Sequence, residues 1–213
     1  TMSFYEDHVL PHVINLAMRN RFLLPYRERA IAAAEGRVLE IGIGSGLNLP
    51  LYGTQVSEVL GIEPAPRLLG MAQHAASRAH IPTMLVQGSA ESIPLDDSSV
   101  DTVVTTWTLC TIPEVLAALR ELRRVLKPEG QLLFVEHGQS PEARVRKWQD
   151  RLTPAWKYIG GGCHLNRPIR DLIELAGFAI TQLDTGYMKG PKPMTFMYEG
   201  RARPAAARNG SAP

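Results

Sequence analysis

Short apolar runs alternate with helical stretches through most of this 213-residue chain, and this alternation limits the folds open to it. Five apolar runs are predicted as strands, at residues 37–41, 58–62, 83–87, 101–106 and 131–135. Helices are predicted at 66–78, 113–126 and 167–176, and two last strands at 178–184 and 194–198. Strands that alternate with helices are typical of a parallel sheet covered on both faces. The chain is therefore predicted to be an α/β protein.

Two segments lie outside the alternation, residues 2–31 and 138–166. The first has helical spacing, and the second is a long insert after the fifth strand. Inserts over the carboxyl ends of parallel strands commonly contact the substrate, so we expect the two segments to form a lid over the site. Residues 1–200 are predicted to be one domain. Residues 201–213 have little to bury and are predicted to be a disordered tail.

The charges are nearly balanced, with 23 basic and 21 acidic residues and a formal net charge of +2. This balance gives no reason to expect a nucleic-acid partner. No apolar run is long enough to span a bilayer, and the first residues lack the order of a signal peptide, so a cytoplasmic location is expected. Cys110 and Cys163 are not expected to form a disulfide framework or a metal cluster. His8 and His12 lack a third ligand at a suitable spacing, so no metal is expected, and the oligomeric state is left open.

A glycine-rich loop follows the first predicted strand, where Glu40 precedes Gly42, Gly44 and Gly46. A dinucleotide fingerprint that began at Gly42 would need a third glycine at the position of Leu47. Glycines allow the backbone to approach a ligand closely, and Glu40 is placed to receive the ammonium of a methionyl group. The spacing therefore favours S-adenosylmethionine, with S-adenosylhomocysteine as the product, over a nicotinamide cofactor.

A second acid, Glu63, lies 23 residues after Glu40 at the end of the second predicted strand and is followed by Pro64. A carboxylate at this place can accept hydrogen bonds from both ribose hydroxyls. An isolated acid at a strand end is more often simply solvated. The glycine loop and the strand order together make the ribose role the better interpretation.

Four ordered stretches, at residues 40–46, 88–94, 99–104 and 126–134, resemble the successive motifs of class I S-adenosylmethionine-dependent methyltransferases, most of all the ubiquinone/menaquinone branch. The resemblance covers roughly residues 35–136. It implies a Rossmann-like, seven-stranded and mostly parallel sheet with an antiparallel last strand and helices on both faces. It also implies that Ser89 and Ala90 border the adenine. Thr106 and Trp107 are expected beside the methyl donor, at the end of the fourth strand.

The second half of the chain is similar to the alkyl-thiol S-methyltransferases. A Leu-Cys pair at Cys110 follows the fourth strand, a Glu-His pair at His137 closes the fifth, and a run of Trp-Gln, Pro-x-Trp and Gly-Cys-x-Leu-x-Arg extends over residues 148–167. The resemblance implies a small thiol or sulfide as the methyl acceptor.

Proton transfer is the step for which a side chain is needed, because a free thiol is only slightly ionised at neutral pH. His137 is the preferred proton acceptor and His164 the second candidate, although a histidine after a strand is more often structural. The remaining substrate-side candidates are Trp107, Cys110, Trp148, Trp156 and Cys163. For each of these, packing in the core is the plainer interpretation.

Three functions remain open. The first is S-methylation of a small-molecule thiol or sulfide by direct in-line displacement. The second is N- or O-methylation of a lipid amine or quinone-like metabolite, which the apolar side chains of residues 9–22 would suit. The third is a binding scaffold that holds S-adenosylmethionine without turnover.

Overall fold

The computed structural model describes residues 5–206 of the chain. Seven strands form one sheet in the order β3-β2-β1-β4-β5-β7-β6. The strands are β1 (Gly36–Ile41), β2 (Val56–Glu63), β3 (Thr83–Gln87), β4 (Val100–Thr106), β5 (Leu126–His137), β6 (Phe178–Tyr187) and β7 (Phe196–Pro204). Strands β1 to β5 pair in parallel, whereas β7 is antiparallel to both β5 and β6. The predicted α/β class and seven-stranded sheet are confirmed.

Seven α-helices accompany the sheet within the described residues. They are α1 (Leu10–Met18), α2 (Leu24–Ile31), α3 (Pro66–Ala76), α4 (Val115–Val125), α5 (Ala143–Ile159), α6 (Ile169–Leu175) and α7 (Lys192–Thr195). A π-helical turn, Tyr5–Val9, precedes α1. None of these helices is long and apolar enough to cross a lipid bilayer.

The hydrophobic core lies on both faces of the sheet, because successive strand residues point to opposite sides. On β1, Leu39 packs in the cluster that includes residues of α4 and α6, while its neighbour Val38 packs with residues of α2 and α3. On β4, Val103 packs in the same cluster as Leu39, and Val104 packs in the same cluster as Val38. The central strands are thus buried on both sides, which is why each appears in the sequence as a continuous apolar run.

The last two strands differ from their predicted bounds. β7 begins at Phe196 rather than at residue 194, because residues 192–195 form the short helix α7. It continues to Pro204, where it pairs with Phe178 of β6, so the predicted domain end at residue 200 and the start of the predicted tail at 201 fall inside a strand. The remainder of that predicted tail, residues 207–213, lies outside the described residues.

The two segments outside the alternation meet each other at the carboxyl ends of the parallel strands. The Tyr5 hydroxyl donates a hydrogen bond to the Ile159 carbonyl at 3.2 Å. The Ser45 hydroxyl of the glycine loop donates to Asn15 of α1 at 2.7 Å. Residues 2–4 of the predicted lid lie outside the described residues. These contacts join the two segments to each other and place α1 beside the glycine loop, and the lid stays a prediction.

Candidate functional site

Three glycines shape the loop after β1, and each has a left-handed backbone, with φ of 63°, 59° and 77° for Gly42, Gly44 and Gly46. A Cβ atom on Gly42 would lie 2.5 Å from the Thr108 side chain, and one on Gly46 would lie 2.9 Å from the Ala75 Cβ. A Cβ on Gly44 would meet only the Gly42 carbonyl oxygen, at 3.9 Å. Gly42 and Gly46 are therefore needed for packing, while Gly44 leaves an open space that a ligand can approach.

Glu63 at the end of β2 is 5% exposed and is held against this loop. One carboxylate oxygen accepts the Gly44 N–H at 3.0 Å, and the other accepts the Ala65 N–H at 3.0 Å. Burial raises the pKa of Glu63, and the two backbone hydrogen bonds oppose that rise. Each oxygen can accept a second hydrogen bond, which fits the predicted ribose contact. Pro64 beside it is exposed, as a residue flanking a bound nucleoside would be.

Glu40 lies deeper than the sequence suggested, with 1% of its surface exposed. Its two oxygens accept hydrogen bonds from the Asn48 amide at 2.8 Å and the Tyr52 hydroxyl at 2.7 Å. Burial raises the pKa of Glu40 to about 7, against the effect of these two bonds. Sequence reasoning missed both partners, because a single polar residue in an irregular segment carries no periodic signal.

A buried guanidinium from the N-terminal segment completes this network. Arg27 of α2 is 6% exposed and donates to the Asn48 side-chain oxygen at 2.7 Å and, more weakly, to the Thr106 hydroxyl at 3.4 Å. Its guanidinium carbon lies 4.9 Å from the centre of the Trp107 ring, within the range of a cation–π contact. The structure thus places Thr106 and Trp107 beside Arg27, which the sequence analysis missed, and their contact with the methyl donor stays a prediction.

The predicted adenine contacts lie just after β3. The Ser89 hydroxyl donates to Glu91 at 2.7 Å and accepts the Glu91 N–H at 3.2 Å, so it closes its own turn. Ala90 is buried at 6% exposure and packs in the same core cluster as Ile62 of β2. The adenine role of these residues stays a prediction.

A second group of reactive side chains lies where β4 and β5 end. The ligand atoms of Cys110, His137 and Cys163 all lie within 4.8 Å of one another. The His137 Nε2 and Cys163 Sγ atoms are 3.1 Å apart, a hydrogen-bond distance. The sequence analysis did not foresee this proximity, because the fold brings together two cysteines that are 53 positions apart in the sequence. We call Cys110, His137 and Cys163 the thiol–imidazole cluster.

The cluster has an unusual charge distribution. Hydrogen bonds from Cys110 and His137 lower the pKa of Cys163 to about 4, in spite of its burial. Burial by itself lowers the pKa of His137, but the hydrogen bond and charge of Cys163, with the charge of Glu136, outweigh it and raise the pKa. The pKa of Cys110 is raised well above the ordinary value. These directions favour negative charge on Cys163, positive charge on His137 and a neutral Cys110.

Two cysteines and a histidine are also the ligands that zinc prefers. Two ligands of a tetrahedral zinc ion, a sulfur and an imidazole nitrogen, stand about 3.6 Å apart when each keeps its usual distance from the metal. The 3.1 Å between His137 and Cys163 is shorter and fits a direct hydrogen bond. The arrangement therefore fits a hydrogen-bonded pair better than a zinc site, and the absence of a metal stays a prediction.

Glu136 and Arg167, which the sequence analysis did not single out, fix the loop that carries Cys110. One oxygen of the fully buried Glu136 accepts the N–H groups of Thr108 and Leu109, at 3.0 and 3.1 Å. Burial raises the pKa of Glu136 to about 7. Arg167 donates to the Leu109 carbonyl from the opposite side. Both residues are therefore structural supports of the thiol–imidazole cluster.

The other predicted substrate residues differ in how close they lie to the thiol–imidazole cluster. The imidazole of His164 lies against the Cys110 carbonyl, 3.2 Å from its Nδ1, and therefore borders the cluster. Trp156 is partly buried, and its indole N–H faces Cys163, whose pKa it helps to lower. Trp148 is 49% exposed, with Arg151 over its ring. This exposure does not support Trp148 as a wall of the pocket.

Comparison with known proteins places this site in a known context. A family model described as a methyltransferase domain matches residues 39–134. A thiol S-methyltransferase of Homo sapiens is 32% identical over 178 residues, which is 81% of this chain and 71% of that protein. A thiol S-methyltransferase of Rattus norvegicus is 36% identical over 154 residues, 70% of this chain but only 63% of that protein. The chain thus spans less than two thirds of the rat relative's length.

Solved structures show the same architecture. A SAM-dependent methyltransferase from Methanosarcina mazei superimposes with a TM-score of 0.64, covering 87% of this chain and 98% of that one, at 20% sequence identity. At this identity the likeness concerns the fold alone.

Proposed function

The chain belongs to the methyltransferase-domain family of class I S-adenosylmethionine-dependent enzymes, and from this premise we propose that it methylates the sulfur of a small thiol or sulfide. The observation that carries the acceptor assignment is the thiol–imidazole cluster at the carboxyl ends of β4 and β5. The Cys110 thiol links this cluster to Trp107, because its Sγ donates a hydrogen bond to the Trp107 carbonyl at 3.6 Å. Two relatives described as thiol S-methyltransferases support the same acceptor.

The residues for the cofactor are those around the glycine loop. Gly44 offers the open face of the backbone, Glu63 receives the ribose hydroxyls, and Glu40 with Asn48 faces the amino-acid end. When bound, S-adenosylmethionine supplies a methyl group on a sulfonium, which a thiolate converts into a thioether and S-adenosylhomocysteine by in-line displacement. The aromatic ring of Trp107 and the buried residues around it exclude water from this region.

His137 is the side chain we propose to act on the acceptor. Its Nε2 is engaged by Cys163, and its Nδ1 is buried with no partner among the described residues. Because the pKa of His137 is raised, the protonated form of the ring is favoured, and in that form Nδ1–H can donate to an incoming thiolate. We therefore propose that His137 holds the thiolate by charge, a modification of the simple proton-acceptor role predicted from the sequence.

The test is the pH dependence of kcat/KM for His137→Ala. We expect a loss of about a hundredfold at neutral pH, the scale for removing one preorganised charged donor. The loss should shrink as the pH rises towards the thiol's own pKa of about 8.5, because solution thiolate then becomes abundant. Wild-type activity should fall once the pH passes the raised pKa of His137, where its positive charge is lost.

The matched control for this test is His74→Ala, on the exposed face of α3, which should leave the profile unchanged. Binding of S-adenosylhomocysteine to His137→Ala, measured by calorimetry, establishes that the variant is folded. A loss of equal size at every pH would argue that His137 only positions its neighbours and would contradict the charge role.

One observation favours a second acceptor class. The apolar side chains of Val9, Val13 and Leu16 are 40%, 47% and 76% exposed on the N-terminal segment, which is part of the proposed lid. Such a face would suit a lipid amine or a quinone-like metabolite, with N- or O-methylation as the reaction. Methylation of an amine or phenol in the absence of any thioether product would establish this alternative.

A further inference from the structure

Arg27 is a buried cation whose close partners are all neutral. Its hydrogen bonds go to the Asn48 side-chain oxygen at 2.7 Å, the Thr106 hydroxyl at 3.4 Å and the Met18 carbonyl at 3.5 Å, and only the first is short. Buried charges in proteins are as a rule paired with an opposite charge, because desolvation without such a partner is costly. The described residues give Arg27 no direct ion pair, which leaves its guanidinium able to accept an anionic ligand.

The nearest acid, Glu40, does not form a direct ion pair with Arg27. Asn48 stands between the two groups: its amide donates to Glu40 at 2.8 Å, and its oxygen accepts from Arg27 at 2.7 Å. The second oxygen of Glu40 is taken by Tyr52. Burial lowers the pKa of Arg27 and raises that of Glu40, so each group lacks full compensation by the other. The site thus presents a cation and an anion that are bridged but separate.

The amino-acid end of S-adenosylmethionine is a zwitterion, with an ammonium and a carboxylate on one carbon. The sequence analysis assigned Glu40 to the ammonium but assigned no residue to the carboxylate. We propose that Arg27 binds the α-carboxylate of the cofactor, so that Arg27 and Glu40, bridged by Asn48, together recognise the zwitterion. The planar guanidinium is suited to this, since two of its N–H groups can meet the two oxygens of a carboxylate.

Arg27 also connects the cofactor site to the N-terminal part of the lid. Arg27 lies on α2, within the N-terminal segment, whereas Asn48 and Thr106 follow β1 and end β4. A carboxylate held between them ties α2 to the sheet edge, so that cofactor binding fixes the segment that covers the site. This inference rests on the cofactor and not on the methyl acceptor, and it stands or falls separately from the thiol proposal.

The experiment compares S-adenosylhomocysteine with its analogue that lacks only the carboxylate, S-adenosyl-3-thiopropylamine, by calorimetry without any acceptor. The wild-type protein should bind S-adenosylhomocysteine about ten- to a hundredfold more tightly, as expected for hydrogen bonds to a charged group. Arg27→Met should reduce this preference to about threefold or less, and Arg27→Lys should keep part of it. Arg29→Met is the matched control, because Arg29 lies on the same helix and pairs with Glu199 instead, and it should retain the full preference.

A preference that persists in Arg27→Met, or that is absent from the wild type, would overturn the inference. Hydrogen exchange on the wild-type protein supplies a measurement that does not depend on the folding of a variant. S-adenosylhomocysteine should protect the amides of residues 24–31, and the decarboxylated analogue should protect them much less. Equal protection by the two ligands would also contradict a role for Arg27 at the carboxylate.

Discussion

Glu63 shows at the level of one residue how the cofactor site is held ready. It is buried at the end of β2, and each of its oxygens accepts a backbone N–H group. One comes from Gly44 in the glycine loop, and the other comes from Ala65, which immediately precedes α3. These bonds fix the carboxylate in one orientation before any ligand arrives. A preorganised acceptor loses little conformational entropy on binding, which favours affinity.

Glu63→Ala should weaken binding of S-adenosylhomocysteine by about 1–3 kcal/mol, because two ribose hydroxyls would lose their acceptor. Calorimetry on the purified variant measures this directly. Glu58→Ala is a suitable control, since Glu58 lies on the same strand but pairs with Arg37 far from the strand's carboxyl end. An unchanged affinity in Glu63→Ala would mean that the ribose assignment is wrong.

Buried polar residues outside the strand-and-loop motif were the part of the site that the sequence could not predict. Glu40, Gly44 and Glu63 were found because their spacing follows a strand and a loop. Arg27 and Glu136 were not, since a single polar residue carries no periodicity and its role depends on partners from distant elements. The thiol–imidazole cluster was missed for the same reason, although each of its members had been named separately.

At the scale of elements, the parallel strands β1 to β4 were predicted most accurately, although β3 at the edge of the sheet is only partly buried. β1 to β4 each contain a continuous apolar run, and each was located within two residues of its observed bounds. β6 is mostly exposed and β7 mixes buried and exposed residues without strict alternation, and the ends of both strands were misjudged. Met194 was assigned to a strand but belongs to α7, where Pro191 and Pro193 bring a short turn of helix before β7 begins.

The N-terminal segment is the element whose removal should separate folding from activity. α1 buries only Leu10 and Pro11, while the two main core clusters contain no residue of α1. We therefore expect deletion of residues 2–20 to leave a folded protein, with a cooperative thermal transition, but greatly reduced turnover, because water then enters the site. Full activity in the truncated protein would contradict the lid assignment.

At the scale of the whole molecule, the residues proposed for the cofactor and those proposed for the methyl acceptor lie along one edge of the sheet. The carboxyl ends of β1 and β2 carry the residues proposed for the cofactor, and those of β4 and β5 carry Trp107, Cys110 and His137. Ligand sites in parallel α/β folds lie at such an edge, next to the point where the strand order reverses. Here that point is between β1 and β4, so the two groups of residues meet at a single site.

The central claim is that this site transfers methyl groups to sulfur, and one assay tests it directly. The full chain is incubated with S-adenosylmethionine that carries a deuterated methyl group and, in parallel, with panels of small thiols, amines and phenols, and the products are identified by mass spectrometry. We predict deuterated thioethers together with S-adenosylhomocysteine, at rates that fall in His137→Ala. Labelled amines or ethers without any thioether would contradict the thiol assignment, and binding of S-adenosylmethionine without any product would indicate a scaffold rather than an enzyme.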